Sequence, residues 1–379
     1  MSRLRDIQYH VVQYAPDGNG GPGSPVRELT PHVLNLVWQQ VLNGAGQMAF
    51  SLARFNEALA GIDWMRDHVK VFRVCRHGER CVFAGKLIRP DEGSRDAIVY
   101  AWDYPAFLQR SRTGFKVLYP DKTIKEIVDA EWALAKNASD SPFAFVATGT
   151  TQAPVGMDGT TEIKVNSQFG VIDFDRLFTF YSLAEMAMAN TANTVVFEIT
   201  REAPHTFNFW KNRSTARSTY AFTYPGTLID YQADPGYDEL QNDIATVLTD
   251  PATGAQSEYV VSDPVSIAAF RRLQSAVAIK TLYGVTTGTT ENDQQKAAAA
   301  RILTQSVVVP KVITLYPRQH ELDPFLNPDG SSWDLGDTFR TTIRDARRSA
   351  DEYDLGLAIT AIAGAWTPDA GELIQAHGR

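Results

Sequence analysis

Between Val33 and Phe55 the chain alternates apolar and polar residues, with a break at Asn43-Gly44-Ala45-Gly46. Leu34, Leu36 and Trp38 share one parity before the break, and Met48, Phe50 and Leu52 share one face after it. Strand side chains point to opposite faces at successive residues, so a period of two buries one face of a strand pair. An Asn-Gly step between two such runs supplies the positive φ that tight hairpin turns require. This is the strongest local constraint in the chain, and it commits the N-terminal part to antiparallel β-structure.

Tyr9–Tyr14 reads as a short strand ahead of that hairpin, and Asp17–Pro25 as a flexible Gly/Pro loop. A short helix is expected over Asn56–Ile62. A second hairpin follows, with Val69, Val71, Phe72 and Val74 on one arm, Val82, Phe83, Leu87 and Ile88 on the other, and a turn at Arg76–Arg80. With a further strand at Ala97–Trp102, these elements make an antiparallel unit of about 110 residues, the ordinary size of a domain.

The period changes after Asp121. Ile124, Ile127, Val128, Trp132 and Ala135 recur at helical steps, with Asp121 as the expected N-cap. Ser182 and Glu185 have capping-box spacing and predict a second helix over Ser182–Asn190. Strands are expected at Val195–Arg201 and Thr206–Trp210. In the last region, strands are expected at Ala221–Gln232, Ser257–Ser262, Val307–Tyr316, Thr338–Asp345 and Leu355–Ile362. Helices are expected at Pro264–Arg272, behind Asp263 as N-cap with Pro264 at N1, and at Asp293–Thr304. The expected fold is α+β, mainly β. A first β domain spans residues 1–116, a smaller α+β insert 117–212, and a second β domain with helices 213–379. The third region repeats the style of the first, although no sequence repeat aligns.

Composition narrows the function classes. The chain has 379 residues, 44% hydrophobic and 21% charged, with a net charge of −8. Those fractions belong to a globular protein with a sizeable core. Its apolar runs are too short for a membrane span, and the N-terminus lacks the apolar stretch of a signal peptide. Residues 1–120 hold 15 Lys and Arg against 11 Asp and Glu, and the remainder 21 against 33. An acidic body argues against tight nucleic-acid binding, which rests on Lys and Arg. The basic excess lies in Arg66, Lys70, Arg73, Arg76, Arg80, Lys86 and Arg89, read as a solvated sheet face, with a docking face for an acidic partner as the sharper alternative.

Motifs for chemistry fail on spacing. Gly18-Asn19-Gly20-Gly21-Pro22-Gly23 spells a dinucleotide fingerprint, but Ser24-Pro25 follows where a helix should open, and Pro22 has no N–H to give. The seven histidines, His10, His32, His68, His77, His205, His320 and His377, are scattered. His320-Glu321 lacks the second histidine that would complete a zinc site. Asn327–Asp334 spaces oxygen ligands around Gly330 but lacks the closing bidentate Glu of a calcium loop. Asp173 and Asp175 could offer paired carboxylates, but at this spacing on a strand they repel unless a cation is present. Cys75 and Cys81 flank a hairpin turn and are expected as buried thiols. No catalytic, cofactor-binding or metal residues are assigned, no cofactor is expected, and the chain is expected not to be an enzyme.

The stretch from Leu34 to Pro90 resembles the N-terminal domain of the tail hub proteins of long-tailed bacteriophages, also called minor tail, tail-associated or baseplate hub proteins. The resemblance rests on Asp67-His68-Val69-Lys70-Val71-Phe72-Arg73 and Phe83-Ala84-Gly85-Lys86-Leu87. It continues at Asp121-Lys122-Thr123-Ile124 and Tyr181-Ser182-Leu183-Ala184-Glu185, and ends at Leu335-Gly336-Asp337-Thr338-Phe339. Phe339 and the long stretch from Asp234 to Gly254 depart from the family pattern. The resemblance implies a homotrimer whose two tail-tube-like antiparallel β domains flank the insert and close a pseudo-sixfold ring. It further implies a place at the virion tail tip, after synthesis in the host cytoplasm. The implied partners are the distal tail protein ring, the C-terminus of the tape measure protein, and a central fibre or other minor tail proteins, with DNA passing through the lumen. The alternatives are a tail-associated cell-wall or polysaccharide hydrolase and a host-glycan-binding module, the latter through Trp210, Tyr220 and Tyr224.

Overall fold

A computed structural model describes residues 7–53, 60–64, 66–75, 78–92, 96–111, 117–155, 162, 164–169, 175–190, 195–211, 216–234, 240–249, 256–279, 299–300, 303, 312–318, 334–344 and 352–378. The first unit comprises β1 (Gln8–Pro16), β2 (Pro22–Glu28), β3 (Val33–Val41), β4 (Gln47–Ala53), β5 (His68–Cys75), β6 (Gly78–Glu92) and β7 (Asp96–Asp103). β3 and β4 form the expected hairpin, with Leu36 opposite Phe50 and Trp38 opposite Met48, all buried. Leu34 is turned outward instead, 52% exposed, because a bulge between Val33 and Asn35 shifts the alternation by one residue. Cys75 pairs with Gly78 and Cys81 with Phe72, so the two free thiols do not face each other; Cys81 is buried and Cys75 partly so.

The central elements are β8 (Val117–Thr123), α1 (Ile124–Asn137), β9 (Ala147–Thr151), β10 (Lys164–Phe169), α2 (Arg176–Asn190), β11 (Val195–Ile199) and β12 (Thr206–Lys211). α1 is capped by Thr123, not Asp121. The Thr123 hydroxyl accepts from the Glu126 N–H and the Glu126 carboxylate accepts from the Thr123 N–H, a full capping box. α2 starts at Arg176, which leaves Ser182 and Glu185 inside the helix. Its early start is anchored by Arg176, whose guanidinium donates to Glu131 of α1 at 3.0 Å and whose N–H donates to the Ser111 carbonyl. These elements pack around their own core, where the Trp132 and Phe207 rings stack 4.2 Å apart.

The last elements are β13 (Ala216–Tyr224), β14 (Leu228–Asp234), β15 (Asp243–Thr249), β16 (Gln256–Ser262), α3 (Pro264–Phe270), β17 (Gln274–Ile279), β18 (Val312–Pro317), β19 (Thr338–Arg344), β20 (Glu352–Thr367) and β21 (Gly371–Gly378). β15, β16 and β17 form a separate small sheet. Asp263 caps α3 as expected, accepting from the Val265 and Ser266 N–H groups. The strand expected over Ala221–Gln232 is two strands, divided by a turn at Pro225–Thr227. Of the helix expected over Asp293–Thr304, Ala299, Ala300 and Leu303 are described and are helical; its other residues, most of the helix expected over Asn56–Ile62, and the strand start at Val307 lie outside the described residues.

Among the described residues, thirteen strands join in one sheet, in the order β14-β18-β21-β20-β3-β4-β7-β6-β5-β1-β2, with β19 and β13 continuing from β20. The first and last units meet where β3 runs antiparallel to β20, from Leu36 opposite Trp366 to Val41 opposite Ala361. Gly364 sits opposite Trp38, and a Cβ there would lie 2.4 Å from the indole. One apolar core draws on both units, from Val11, Trp38, Phe50 and Val71 to Phe222, Ile313, Phe339 and Ile362. Within it Arg73 of β5 makes a two-pronged, fully buried ion pair with Glu372 of β21, at 2.7 and 2.8 Å, and the Tyr9 hydroxyl donates to the same carboxylate. Burial, then the Glu372 charge, raises the Tyr9 phenol well above its ordinary pKa, so it stays a donor.

Two stability predictions follow from these contacts. Arg73→Ala strands the Glu372 carboxylate in the core and should cost about 3–5 kcal/mol in urea unfolding. Arg73→Met with Glu372→Leu should recover most of the loss; equal losses for both variants would contradict the assignment. Gly336 has φ of +83°, and Gly336→Val should cost roughly 1–2 kcal/mol. An unchanged midpoint would contradict that strain.

Candidate functional site at the seam between insert and sheet

The central elements sit against the β3–β4 turn and the open side of β5 and β6, and polar side chains carry much of that seam. Asn43 occupies the hairpin turn with φ of +52°. Its buried side chain donates to the Val195 carbonyl at 2.7 Å and accepts from the Phe197 N–H at 2.8 Å, imitating a strand beside β11. The Gln40 amide donates to the Val82 carbonyl and accepts from Arg201. Arg80 donates to Asp334 at 3.1 Å, Arg201 lies 3.9 Å from the same carboxylate, and Glu202 accepts from the Cys81 N–H. These groups enclose a cavity of about 230 Å³ lined by Gln40, Asn43, Arg80, Asp103, Arg201 and Asp334.

Asp103 braces the hairpin turn from β7, accepting from the Gly46 N–H at 2.7 Å and the Ala106 N–H at 3.0 Å. Burial pushes this carboxyl up to about 7, opposed by those two N–H groups and by Arg201. A Cβ on Gly46 would meet the Asp103 oxygen at 2.5 Å, so the close approach needs glycine. Burial pushes the Cys81 thiol up to about 12, which keeps it protonated and unreactive.

The Gly-rich loop belongs to the same seam. The Asp17 carboxylate accepts from the Asn19 and Gly21 N–H groups, each at 2.8 Å, and β2 follows where a nucleotide site would need a helix. A Cβ on Gly21 would lie 2.5 Å from the Phe145 side chain. The loop is therefore clamped at Gly21, not free as its composition predicts. The Gly20 carbonyl accepts from His68 Nε2 at 3.1 Å, and the Tyr104 hydroxyl donates to His68 Nδ1 at 3.4 Å. His205 Nδ1 donates to the Thr200 carbonyl at 2.7 Å, and its Nε2 accepts from Lys70 at 3.3 Å. Both rings are neutral in this arrangement. The rings of His68, Tyr104, Phe145 and His205 meet edge-on or tilted, with centroids 5.1 to 6.0 Å apart. Burial drives His68 down to about 4, assisted by Lys86, and lowers His205 and Lys70 from their ordinary values.

The basic run does not form a solvated face at its centre. Lys70 and Arg73 are buried, Arg80 is engaged with Asp334, and Arg76 lies outside the described residues. His10 pairs with Glu28 at 2.9 Å, and His377 contacts the Thr314 hydroxyl at 3.1 Å. His77, His320, Asp173 and all of Asn327–Asp334 except Asp334 fall outside the description. Among the described residues no group of three or more His, Cys, Asp or Glu side chains could hold a metal ion. No helix among them is long and apolar enough to cross a membrane. Trp210 donates to Glu198 and the Tyr224 ring meets that of Tyr231, both half-buried rather than laid open for a sugar. The arrangement is suited to holding two cores together. Sequence reasoning missed its chief members, Gln40, Asn43, Arg201 and His205, since each looks like an ordinary surface or turn residue.

No protein-family model and no curated protein sequence matches the chain. Solved structures do match in fold. The tail protein from Neisseria meningitidis MC58 is 11% identical, with 98% of this chain and 96% of that one covered and a TM-score of 0.60. The 43 kDa tail protein of prophage MuSo2 from Shewanella oneidensis is 11% identical over 98% of both chains, with a TM-score of 0.61. The prophage tail protein gp18 from Listeria monocytogenes EGD-e is 11% identical over 97% and 94%, with a TM-score of 0.52.

The buried imidazoles give the seam a pH dependence. The unfolded chain protonates His68 near 6.5 and the folded chain near 4, so this contribution is complete above 6.5 and is lost as pH falls toward 4. Asp103 acts with the opposite sign across an overlapping range, so the measurement is a difference between proteins. Between pH 7.5 and 4.5 the wild type should lose roughly 2–3 kcal/mol more stability than His68→Gln. Parallel pH profiles would contradict the buried neutral imidazole.

Proposed function

We propose that this chain, which has the fold of phage tail proteins along nearly its whole length, is a structural subunit of a phage tail hub. Three copies close a ring at the tail tip of the virion. The ring joins the sixfold tail tube, or the distal tail ring beneath it, to a threefold central fibre or spike, and lines the channel for DNA. The observation that carries this reading is that the sheet contains two units of matching strand order in one chain. Three such chains offer a sixfold neighbour matching edges, and a threefold neighbour one set per chain.

In this reading residues 1–116 and 213–379 are the two ring-forming units and residues 117–212 are an outer insert fixed by the polar seam. The distal tail ring sits on one face. The tape measure protein's C-terminus and the central fibre, or other minor tail proteins, occupy the lumen side and the other face. A net charge of −8 suits a conduit that DNA crosses without adhering. The role needs no catalysis by the chain itself.

A reconstruction of the assembled tail tip with symmetry left free should place three copies around the axis; six copies, or one copy off the axis, would overturn the proposal. Purified chain should leave peptidoglycan and host polysaccharide intact. Hydrolysis that disappears on changing one acidic residue would replace the structural reading with an enzymatic one.

A further inference from the structure

The short helix α3 is built inside out. A helix on a protein surface turns its apolar stripe inward and its polar side chains toward water. α3 carries no charged side chain, and its one polar side chain, Ser266, is buried, where it accepts from Asn242 Nδ2 at 3.3 Å. Pro264, Val265, Ala268 and Ala269 face outward, with Val265 78% exposed. Phe270 at the end of the helix and Leu273 beyond it are 44% and 37% exposed. Single exposed apolar residues are ordinary, but a run of them on one short element marks a contact surface.

The two residues between Phe270 and Leu273 are arginines, and the fold fixes where they stand. Asn242, fully buried, donates to the Arg271 carbonyl and accepts from the Leu273 N–H, both at 2.7 Å. The Leu273 carbonyl in turn accepts from the Asn242 and Asp243 N–H groups at 3.0 and 3.2 Å. Within this clamp Arg271 has φ of +70°. The carboxylates of Asp263 and Asp243 are already engaged. Asp263 accepts from the Val265 and Ser266 N–H groups, and Asp243 accepts from Ser262 and Gln274, each at 2.7 Å. Arg272 stands 3.7 Å from Asp243 with its side chain 61% exposed. The surface therefore joins apolar side chains to two guanidiniums on one clamped loop.

We propose that α3, with the loop through Leu273, is a peripheral contact for an anionic lipid bilayer. Val265, Phe270 and Leu273 enter the boundary between headgroups and acyl chains, and the two arginines meet lipid phosphates. Size favours lipid over protein. A specific protein interface takes roughly 20–30 residues a side, and this surface has the eight exposed residues Pro264, Val265 and Ala268–Leu273. A bilayer has no shape to match, so each inserted side chain and each arginine adds its own part. Arginine suits the place because its apolar stem lies along the boundary while the guanidinium reaches phosphate. Charge sets the orientation: the chain carries −8 overall, so an anionic surface repels it elsewhere. The contact is shallow and reversible, in keeping with a helix of seven residues. It adds to the structural role proposed above and does not depend on how many copies form the ring.

Flotation of the full-length chain with phosphatidylcholine vesicles, with and without an equal part of phosphatidylglycerol, tests the contact. Wild type should float with the vesicles that contain phosphatidylglycerol and stay behind with phosphatidylcholine alone. Val265→Asp should lower the partition coefficient about tenfold or more, and Arg271→Gln and Arg272→Gln about fivefold each. All three positions are exposed, and circular dichroism checks that each variant folds. A solvent-sensitive fluorophore on Val265→Cys, in a chain carrying Cys75→Ser, should shift to the blue with the same vesicles; on Leu34→Cys, equally exposed in the first unit, it should not. Wild type that fails to float would overturn the proposal. Flotation shared by every variant would also overturn it, by placing the lipid contact elsewhere on the chain. A fluorophore shift at Val265→Cys that grows with protein concentration and needs no vesicles would assign the surface to a second copy instead of lipid.

Discussion

A buried ion pair links two distant strands of the large sheet across its core. Arg73 lies on β5 and Glu372 on β21, and five strands separate them in the hydrogen-bonded order. They touch at 2.7 Å only because the sheet curls until β5 and β21 face each other across the core. An apolar pair of equal volume would fit a curled sheet as well and at less desolvation cost. The charged pair adds direction, since the planar guanidinium accepts the carboxylate in one fork geometry, and an unpaired charge in that core penalises other registers. Tyr9 occupies the remaining face of the carboxylate and meets Trp366 with ring centroids 5.7 Å apart, which ties β1 to the end of β20.

On the curled sheet the central elements attach at the β3–β4 turn and the side of β6 that β7 leaves uncovered. Attachment uses side chains in place of a strand. Asn43, Gln40 and Glu202 satisfy backbone groups that a further strand would have paired, and His68 and His205 do the same for the loops around Gly20 and Thr200. Such a seam is specific in geometry and sensitive to proton concentration. The resulting body has one core shared by two β units and a second core hung beside it.

Much of this was legible in the sequence because it is local. The Asn43 hairpin, the second hairpin, the Asp263 cap and the Gly336-Asp337 turn are each set by a few neighbouring residues. Boundaries failed where a competing local signal won: Thr123 with Glu126 outranks Asp121, and the apolar spacing of Leu177, Phe180, Leu183 and Ala187 carries α2 back past Ser182. The junctions were not legible. Nothing near Arg73 announces Glu372, 299 residues away, and charge alternation reads as solvated until a partner is in place. Fold resemblance at 11% identity reflects the same division, since strand order persists while the residues that fill it change.

The central claim is that the first and last units share one sheet and open together. Native-state hydrogen exchange measures it directly, because amides in one cooperative unit exchange with one free energy. The account predicts that Leu36–Val41 and Ala361–Trp366 carry equal, near-global protection, and that Arg73→Ala lowers both by the same amount. Protection of one segment that survives while the other exchanges freely would mean two independent β domains, and would contradict it.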